Sequence, residues 1–551
     1  MGIYVNPGNR LFEEAVHSPI YVDKSGLIDY TNSILKTQRK NICVSRPRRF
    51  GKSMAADMLA AYYSKGCDSK GLFENLEVSD ENRDVSAGEQ AAKRLESYKA
   101  NLNRHNVIRF DVQRFLFDES HVPVFIKRIQ DVIIRELRDE FGGCFDGGDE
   151  LYGMPGVLEQ IYAHTGQGFV FIIDEWDCVF RLAKEDVEIQ KKYLDFLRGL
   201  FKGSEYVDLA YMTGILPIKK YGEHSAINMF DEYSVTDSKG LGAYFGFTEK
   251  EVREQCAKYD VVFQEMKKWY DGYTLGDYHI YNPKSVTDAL TWRKFQSYWT
   301  GTETYEALKV YIERNFDGLK EAVVEMLGGG QCKLDTTIFQ NDMTTFYTKD
   351  DVLTLLVHLG YLTYDEQTGK VSIPNQEISQ EFVRAIKVGG WGSLMEALNR
   401  SEELLKSTWA MDAAAVAKGV EQARRDTASI IQYNDENSLA CAVYAAYFSA
   451  QVYYMKPIRE LPSGRGFADV VYLPQRGVDR PALLIELKWD KSAQGAIAQI
   501  KDRKYADWVK GYTGNILLVA INYERKKDVH ECIIEKYDDS TGNYEKNGSL
   551  F

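Results

Sequence analysis

A glycine-lysine-serine triplet, Gly51, Lys52 and Ser53, separates two segments of different character. Residues 41–45 are apolar enough for a short buried strand, and residues 52–62 repeat apolar side chains with the spacing of a helix. At a strand-to-helix turn of this kind, loop amides and the helix N-terminus face phosphate groups. We therefore expect Lys52 to reach the β- and γ-phosphates of a nucleoside triphosphate, Ser53 to ligate magnesium, and Gly51 to allow close backbone approach.

The loop before this triplet departs from the usual G-x-x-x-x-G-K-[ST] pattern, because Arg46 stands at its first glycine. Taken alone, the triplet is as compatible with a chance turn before a helix as with a phosphate-binding loop. The candidate nucleotide-binding residues of the loop are Arg46, Pro47, Arg48 and Arg49. Two alternatives stay open for Arg48 and Arg49, which either contact phosphate or are solvated or packed on the sheet.

Two acids follow an all-apolar segment, residues 169–173, about 120 residues after the loop. A strand that is buried on both faces and ends in acids suits a magnesium-nucleotide site. Asp174 would hold the ion directly or through water, and Glu175 would polarise the attacking water. The alternative is a core strand followed by a solvated acidic turn. Another buried strand, residues 208–215, carries Thr213, which fits a γ-phosphate or water sensor or simply caps the strand.

The segments between these motifs indicate how the motifs come together. Residues 106–112 predict a further strand, and residues 122–141 predict an amphipathic helix. Strands that alternate with helices form a parallel sheet covered on both faces. Ligands of such sheets bind at the carboxyl ends of the strands, which is where Gly51, Asp174 and Thr213 fall.

A second set of candidate catalytic residues lies near the C-terminus. Asp469 opens one predicted strand, and Glu486 and Lys488 lie on the next, residues 482–489. Because side chains alternate along a strand, Glu486 and Lys488 project from the same face. Two carboxylates and an amine would then hold magnesium or manganese and direct water at a phosphodiester. The alternative is a salt-bridged surface edge, which the apolar neighbours of Glu486 disfavour.

Six segments, taken in order, resemble a known family. They are residues 21–28, 45–53, 172–175, 247–252, 269–273 and 281–283. Together they resemble the bacterial AAA-ATPase-like proteins that usually carry a C-terminal PD-(D/E)xK nuclease-like domain. The resemblance implies an additional-strand P-loop ATPase core that binds ATP, akin to archaeal-type ATPases in which Pro-Arg-Arg also precedes Gly-Lys. Arg46 then no longer argues against nucleotide binding.

The resemblance also extends to the C-terminal residues. It places Asp469, Glu486 and Lys488 on the PD-(D/E)xK motif as metal and catalytic residues, and residues 493–505 and 515–521 complete a β-β-α-β order. Weaker or competing positions are Gln499, Tyr505, Glu436 and Glu460, the last two as candidates for a further acidic ligand.

The length of 551 residues exceeds the roughly 250–300 residues that one core can serve. We expect an α/β protein with a P-loop domain at residues 1–245, a mostly helical middle region at 246–430 and a PD-(D/E)xK-like domain at 431–551. A predicted helix at residues 350–359 and a hairpin at 361–374 indicate a winged-helix-like element. The hairpin carries little positive charge, which favours internal packing or partner docking over DNA binding.

Charge and hydropathy indicate which classes of binding partner to expect. The net charge is −13, but residues 431–551 hold 16 Lys and Arg against 16 Asp and Glu, so that a contact with DNA or RNA is more plausible there. No stretch approaches the roughly 20 apolar residues of a membrane helix, and we expect a cytoplasmic protein without a membrane partner. Assembly into a homo-oligomer is an open alternative. The two main functional hypotheses are an ATP-regulated nuclease and a nucleotide-switched scaffold that binds nucleic acid or protein without cutting. A third possibility is a plain signalling ATPase in which mutation of Glu486 would change nothing.

Overall fold

The computed structural model describes residues 2–79, 89–116, 122–144, 153–218, 227–299, 318–327, 329–337, 339, 346–388, 392–427, 436–455, 457–463, 466–474, 478–502, 509, 515–537 and 545–546. The chain packs into two compact units. The first comprises Met1–Tyr298 and Leu334–Pro374, and the second comprises Trp299–Lys333 and Asn375–Phe551. These units divide the middle region between them. The bounds of the three expected domains stay predictions.

A five-stranded sheet lies at the centre of the first unit. Its strands are β1 (Asn41–Ser45), β2 (Asn106–Asp111), β3 (Phe169–Asp174), β4 (Val207–Gly214) and β5 (Asp231–Tyr233). The order is β2-β3-β4-β1-β5, and every neighbouring pair is parallel. β1, β3 and β4 are buried along their whole length, as strands covered on both faces must be. The predicted parallel sheet is confirmed.

Helices pack on both faces of this sheet. The helices of residues 10–201 are α1 (Arg10–Val16), α2 (Gly26–Ile34), α3 (Lys52–Tyr63), α4 (Lys70–Phe73), α5 (Glu89–Asn101), α6 (Phe125–Phe141), α7 (Gly153–Thr165), α8 (Cys178–Leu182) and α9 (Val187–Phe201). On one face, α2 and α3 share a core with Ile172 of β3. On the other, the ring of Phe171 packs edge-on against Phe201 of α9, with centroids 5.2 Å apart. Adjacent residues of β3 thus serve opposite faces.

The chain continues through smaller elements. They are β6 (Phe247–Thr248), α10 (Glu249–Tyr259), α11 (Phe263–Tyr270), β7 (Tyr273–Leu275), β8 (Tyr278–Tyr281), α12 (Pro283–Trp292), α13 (Leu319–Leu327), β9 (Cys332–Lys333), α14 (Lys349–Leu359), β10 (Thr363–Asp365) and β11 (Lys370–Ser372). Of these, α13 and β9 belong to the second unit. Capping boxes begin α10 at Thr248 and α14 at Thr348, and Gly360 in the left-handed conformation ends α14. The predicted helix followed by a hairpin is present as α14, β10 and β11.

A six-stranded mixed sheet forms the core of the second unit. Besides α13 and β9, this unit contains α15 (Gln376–Val388), α16 (Gly392–Trp409), α17 (Ala413–Thr427), α18 (Glu436–Ala446), β12 (Ile458–Ser463), β13 (Gly466–Tyr472), β14 (Ala482–Trp489), α19 (Ala493–Asp502), β15 (Ile516–Glu524), β16 (Val529–Lys536) and β17 (Glu545–Lys546). The strand order is β12 to β17 in sequence, and only β14 and β15 pair in parallel. Within the described part of the chain, no helix is both long and apolar enough to cross a membrane.

Side chains of β14 alternate between two cores. Ile485 and Leu487 pack with the helices α16 to α18, whereas Leu484 packs with α19 on the other face. Glu486 and Lys488 follow the parity of Leu484 and therefore face α19. The alternation that the sequence predicts for this strand is present.

Gly272 gives a test of the packing in the first unit. Its φ is +108°, and a Cβ atom at this position would overlap the carbonyl oxygen of Pro374. Gly272→Ala should therefore lower the free energy of unfolding by at least about 2 kcal/mol, since overpacking and a left-handed backbone each cost roughly 1–3 kcal/mol. Urea denaturation measures the loss. In Gly369→Ala, where φ is +64° and nothing lies within 4 Å, only the backbone cost remains. Equal losses in the two variants would contradict this account.

Candidate functional site

The loop between β1 and α3 leaves room for a phosphate group. Gly51 immediately precedes α3 and has a φ of +86°, which favours glycine. A Cβ atom built on Gly51 would meet nothing within 4 Å, so this side of the loop is open. Ser53, in the first turn of α3, is exposed. The loop therefore fits a ligand that backbone amides at a helix N-terminus can bind.

The side chain of Lys52 lies inside this loop. Its Nζ donates to the carbonyl oxygens of Arg46 and Pro47, both at 3.0 Å, and the residue is only 4% exposed. Burial lowers the pKa of the Lys52 amine, and the negative charges of Glu175 and Asp174 oppose this shift. The ammonium thus holds the loop together through two hydrogen bonds to carbonyl oxygens, and phosphate oxygens are acceptors that could replace these carbonyl groups.

The loop arginines differ from one another. Arg46 is fully buried, donates to the carbonyl oxygens of Ser45 and Tyr233 at 2.8 Å each, and lies 5.3 Å above the ring of Phe245. Burial lowers the pKa of Arg46 to about 10. In this structure its guanidinium packs against the sheet, and its carbonyl group serves Lys52.

Arg49 has a φ of +68° and donates to the carbonyl oxygen of Tyr298 at 2.7 Å. Arg48 is half-buried, and Pro47 is buried. A contact between phosphate and any of these residues stays a prediction.

The acids of β3 and the threonine of β4 meet at the same edge of the sheet. The Thr213 hydroxyl donates to Asp174 Oδ1, which also accepts from the backbone N–H of Glu175 at 3.0 Å. Both side chains are buried. Asp111 ends β2 in register with Asp174, and burial raises the pKa of the Asp111 carboxyl. The three predicted residues on β3 and β4 are thus brought together.

Glu175 has a partner that the sequence analysis does not identify. Its Oε2 accepts from Arg181 Nη2, while Arg181 Nε donates to Asp177 Oδ2 at 3.3 Å. Burial raises the pKa of Glu175, and the charge of Lys52 opposes the shift. Arg181 follows Asp177 by four residues, and an acid four residues before an arginine on a helix is the signal that could have identified it.

The C-terminal candidates also lie together. Glu486 is buried, and its Oε1 accepts from Lys488 Nζ at 2.8 Å and from Gln499 Nε2 of α19. Asp469 on the neighbouring strand accepts from the backbone N–H of Leu487 at 2.7 Å. Lys488 is buried and pairs in register with Asn522 of β15. Two carboxylates, an ammonium and an amide therefore surround the end of β14.

The two carboxylates Asp469 and Glu486 are the residues here that fit a divalent cation. In the described part of the chain, no group of three or more His, Cys, Asp or Glu side chains is close enough to hold a metal ion. The side chains of Glu436 and Glu460 and the whole of Tyr505 lie outside the described residues. The prediction of a third acidic ligand thus falls on residues that the structure does not describe.

Comparisons with known proteins bear on both regions. Residues 11–222 match the family described as "Predicted AAA-ATPase", and residues 434–532 match the PD-(D/E)XK nuclease superfamily. A relative from Azotobacter chroococcum mcd 1, described as an uncharacterized protein in the vnfD 5′ region, is 28% identical over 310 residues. Those residues are 52% of this chain and 51% of the relative, so the chain matches about half of that relative's length.

Two solved structures are similar to parts of the chain at 11% identity. A Walker-type ATPase of Pyrococcus abyssi has a TM-score of 0.32 and covers 65% of this chain and 94% of its own. Cdc6p from Pyrobaculum aerophilum has a TM-score of 0.24 and covers 68% of this chain and 98% of its own. The family matches, rather than these distant likenesses, define the two regions. The chain therefore carries an AAA-ATPase-like domain at residues 11–222 and a PD-(D/E)XK nuclease superfamily domain at residues 434–532.

Proposed function

We propose that this chain is an ATPase whose nucleotide state regulates a metal-dependent phosphodiesterase that acts on nucleic acid. The observation that carries the first half is the position of Lys52, Asp174 and Glu175 at one edge of a parallel sheet, where such sheets bind their ligands. The second half is supported by Asp469, Glu486 and Lys488 at the end of β14 in the nuclease superfamily domain.

In the ATPase half, Lys52 leaves the carbonyl oxygens of Arg46 and Pro47 and binds the β- and γ-phosphates. Ser53 and Asp174 would hold magnesium, which would supply positive charge to neutralise the phosphates. Thr213 keeps the carboxylate of Asp174 oriented through its hydroxyl. Glu175 accepts a hydrogen bond from the attacking water and polarises it.

In the nuclease half, Asp469 and Glu486 would hold magnesium or manganese, which would supply Lewis-acid activation of water. Gln499 orients Glu486 by donating to its Oε1. Lys488 provides positive charge for the developing charge on the phosphodiester. These electrostatic interactions are stronger than they would be in water, because Glu486 and Lys488 are both buried.

Two observations favour a second candidate function. The carboxylate of Glu486 is already paired with Lys488, and residues 431–551 carry no net charge. A nucleotide-switched scaffold that binds nucleic acid or protein without cutting needs no free metal ligand. Incubation with single- and double-stranded DNA and RNA, with and without magnesium, manganese and ATP, separates the candidates. Lack of cleavage under every condition, with retained ATP binding, would favour the scaffold.

Lys52→Ala tests the nucleotide site. Magnesium-ATP should raise the melting temperature of the wild type, since a ligand at about 100 times its Kd stabilises by roughly 2.7 kcal/mol. Lys52→Ala should abolish the rise, because it removes the positive charge that faces the phosphates. Differential scanning fluorimetry measures both proteins, and Lys192→Ala, which alters an exposed pair with Glu188 on α9, is the control. A normal rise in Lys52→Ala would place the nucleotide elsewhere.

Glu175→Gln separates binding from hydrolysis. Glutamine keeps the size of the side chain but cannot polarise water as a carboxylate does. We expect ATP to raise the melting temperature as in the wild type, and turnover to fall by at least about 100-fold. Phosphate release measures turnover. Equal turnover in the two proteins would remove Glu175 from the catalytic role.

Glu486→Ala and Lys488→Ala test the nuclease half. Glu486→Ala should lose both manganese binding, measured by calorimetry, and cleavage. Lys488→Ala should keep the metal and lose only rate, because an ammonium acts on water or on the transition-state charge. Neither substitution should change the ATP-dependent rise in melting temperature. Full cleavage by Lys488→Ala would contradict its assignment.

A further inference from the structure

Arg181 forms ion pairs with two of the acids that follow β3, Glu175 and Asp177. It lies on α8, its side chain is 8% exposed, and its guanidinium contacts Glu175 through Nη2 and Asp177 through Nε. A buried guanidinium needs such partners, because leaving its charge unpaired in the interior is costly. The two acids, however, are held in very different ways.

Asp177 is fixed. Its side chain is fully buried, and its Oδ2 accepts from the backbone N–H of Leu216 at 2.9 Å as well as from Arg181. Its Oδ1 would lie 2.6 Å from a Cβ atom on Gly214, so no space remains on that side. The end of Arg181 that contacts Asp177 is therefore anchored to β4 and the residues after it.

Glu175 is held less firmly. Its side chain is 17% exposed, and its backbone adopts a φ of +51°, a conformation that costs a non-glycine residue energy. Two cations attract its carboxylate, because Lys52 as well as Arg181 interacts with it electrostatically. Lys52 also interacts with Asp177, but Asp177 is fully buried and held by the backbone N–H of Leu216, so that of the two acids Glu175 is the one that can change partner.

We propose that Arg181 is a positioning residue that restrains Glu175 in a docked, resting orientation, and that Glu175 must leave Arg181 before it can polarise the attacking water. The proposal rests on the ATP hydrolysis proposed above. The positive charge of the guanidinium stabilises the ionised carboxylate, so that the docked Glu175 is a weaker acceptor for a proton of the attacking water. Since Asp177 keeps Arg181 in place, the guanidinium cannot follow Glu175 toward a bound nucleotide. Hydrolysis then depends on the fraction of molecules in which Glu175 is undocked.

If Arg181 instead supported catalysis, its removal would have the opposite effect on the rate of hydrolysis. If the ion pair instead held Glu175 in its productive orientation, removal of Arg181 would slow hydrolysis. Turnover, rather than stability, therefore distinguishes the two roles.

Arg181→Gln removes the charge and keeps much of the side chain. The minor conformation of a two-state protein is typically populated at about 0.1–10%. If undocked Glu175 is the minor conformation, its release from Arg181 should raise kcat by at least about 10-fold. KM and the ATP-dependent rise in melting temperature should stay close to those of the wild type. Arg181→Lys, which keeps the charge, should raise kcat less. Glu175→Gln combined with Arg181→Gln should be as slow as Glu175→Gln alone.

Arg181→Met is made alongside, so that the test survives if one variant fails to fold. Arg198→Gln, which alters an exposed pair with Asp195, is the control for general loss of an arginine. A kcat equal to or below that of the wild type in folded Arg181 variants would overturn the restraint while leaving the ATPase proposal intact. No hydrolysis in the wild type or any Arg181 variant, despite an ATP-dependent rise in melting temperature, would overturn both.

Discussion

The buried ammonium of Lys52 attracts the carboxylates at the carboxyl edge of the central sheet and closes the loop before α3 through two carbonyl oxygens. A lone charge in this position would be expensive, because the interior solvates it poorly. Asp174 and Glu175 offset the cost, and these acids in turn need Thr213 and Arg181. The parallel arrangement of the strands brings all of these groups to one edge.

Local patterns were enough to predict the strands and the acids that end them. Continuous apolar runs predict β3 and β4 as buried strands, and alternation along β14 predicts that Glu486 and Lys488 share a face. The structure places these side chains accordingly, and their catalytic roles stay predictions. Such features are accessible because each depends on residues within one or two turns or strands of the chain.

Other features depend on distant residues and could not be predicted. The sequence does not show that the guanidinium of Arg46 turns toward Tyr233 and Phe245, about 190 residues further along the chain. The sequence also does not show that two of the six family-like segments, residues 21–28 and 247–252, are in contact. Lys24 of the first segment donates to both carboxylate oxygens of Glu251 at 2.7 Å, and Glu251 belongs to the capping box of α10. A spacing along the chain gives no information on such a pairing until the fold is known.

The phenylalanine of the loop before α3 depends on residues that lie beyond the candidate nucleotide-binding motifs. The carbonyl oxygen of Phe50 accepts from the backbone N–H of Gly246, and its ring packs edge-on against Tyr273 with centroids 5.1 Å apart. The Tyr273 hydroxyl donates in turn to the carbonyl oxygen of Gly360, at the end of α14. A fragment that stops at residue 245 would therefore contain the whole motif without the residues that support Phe50. A fragment that preserves the support of this loop therefore has to extend beyond the candidate nucleotide-binding residues.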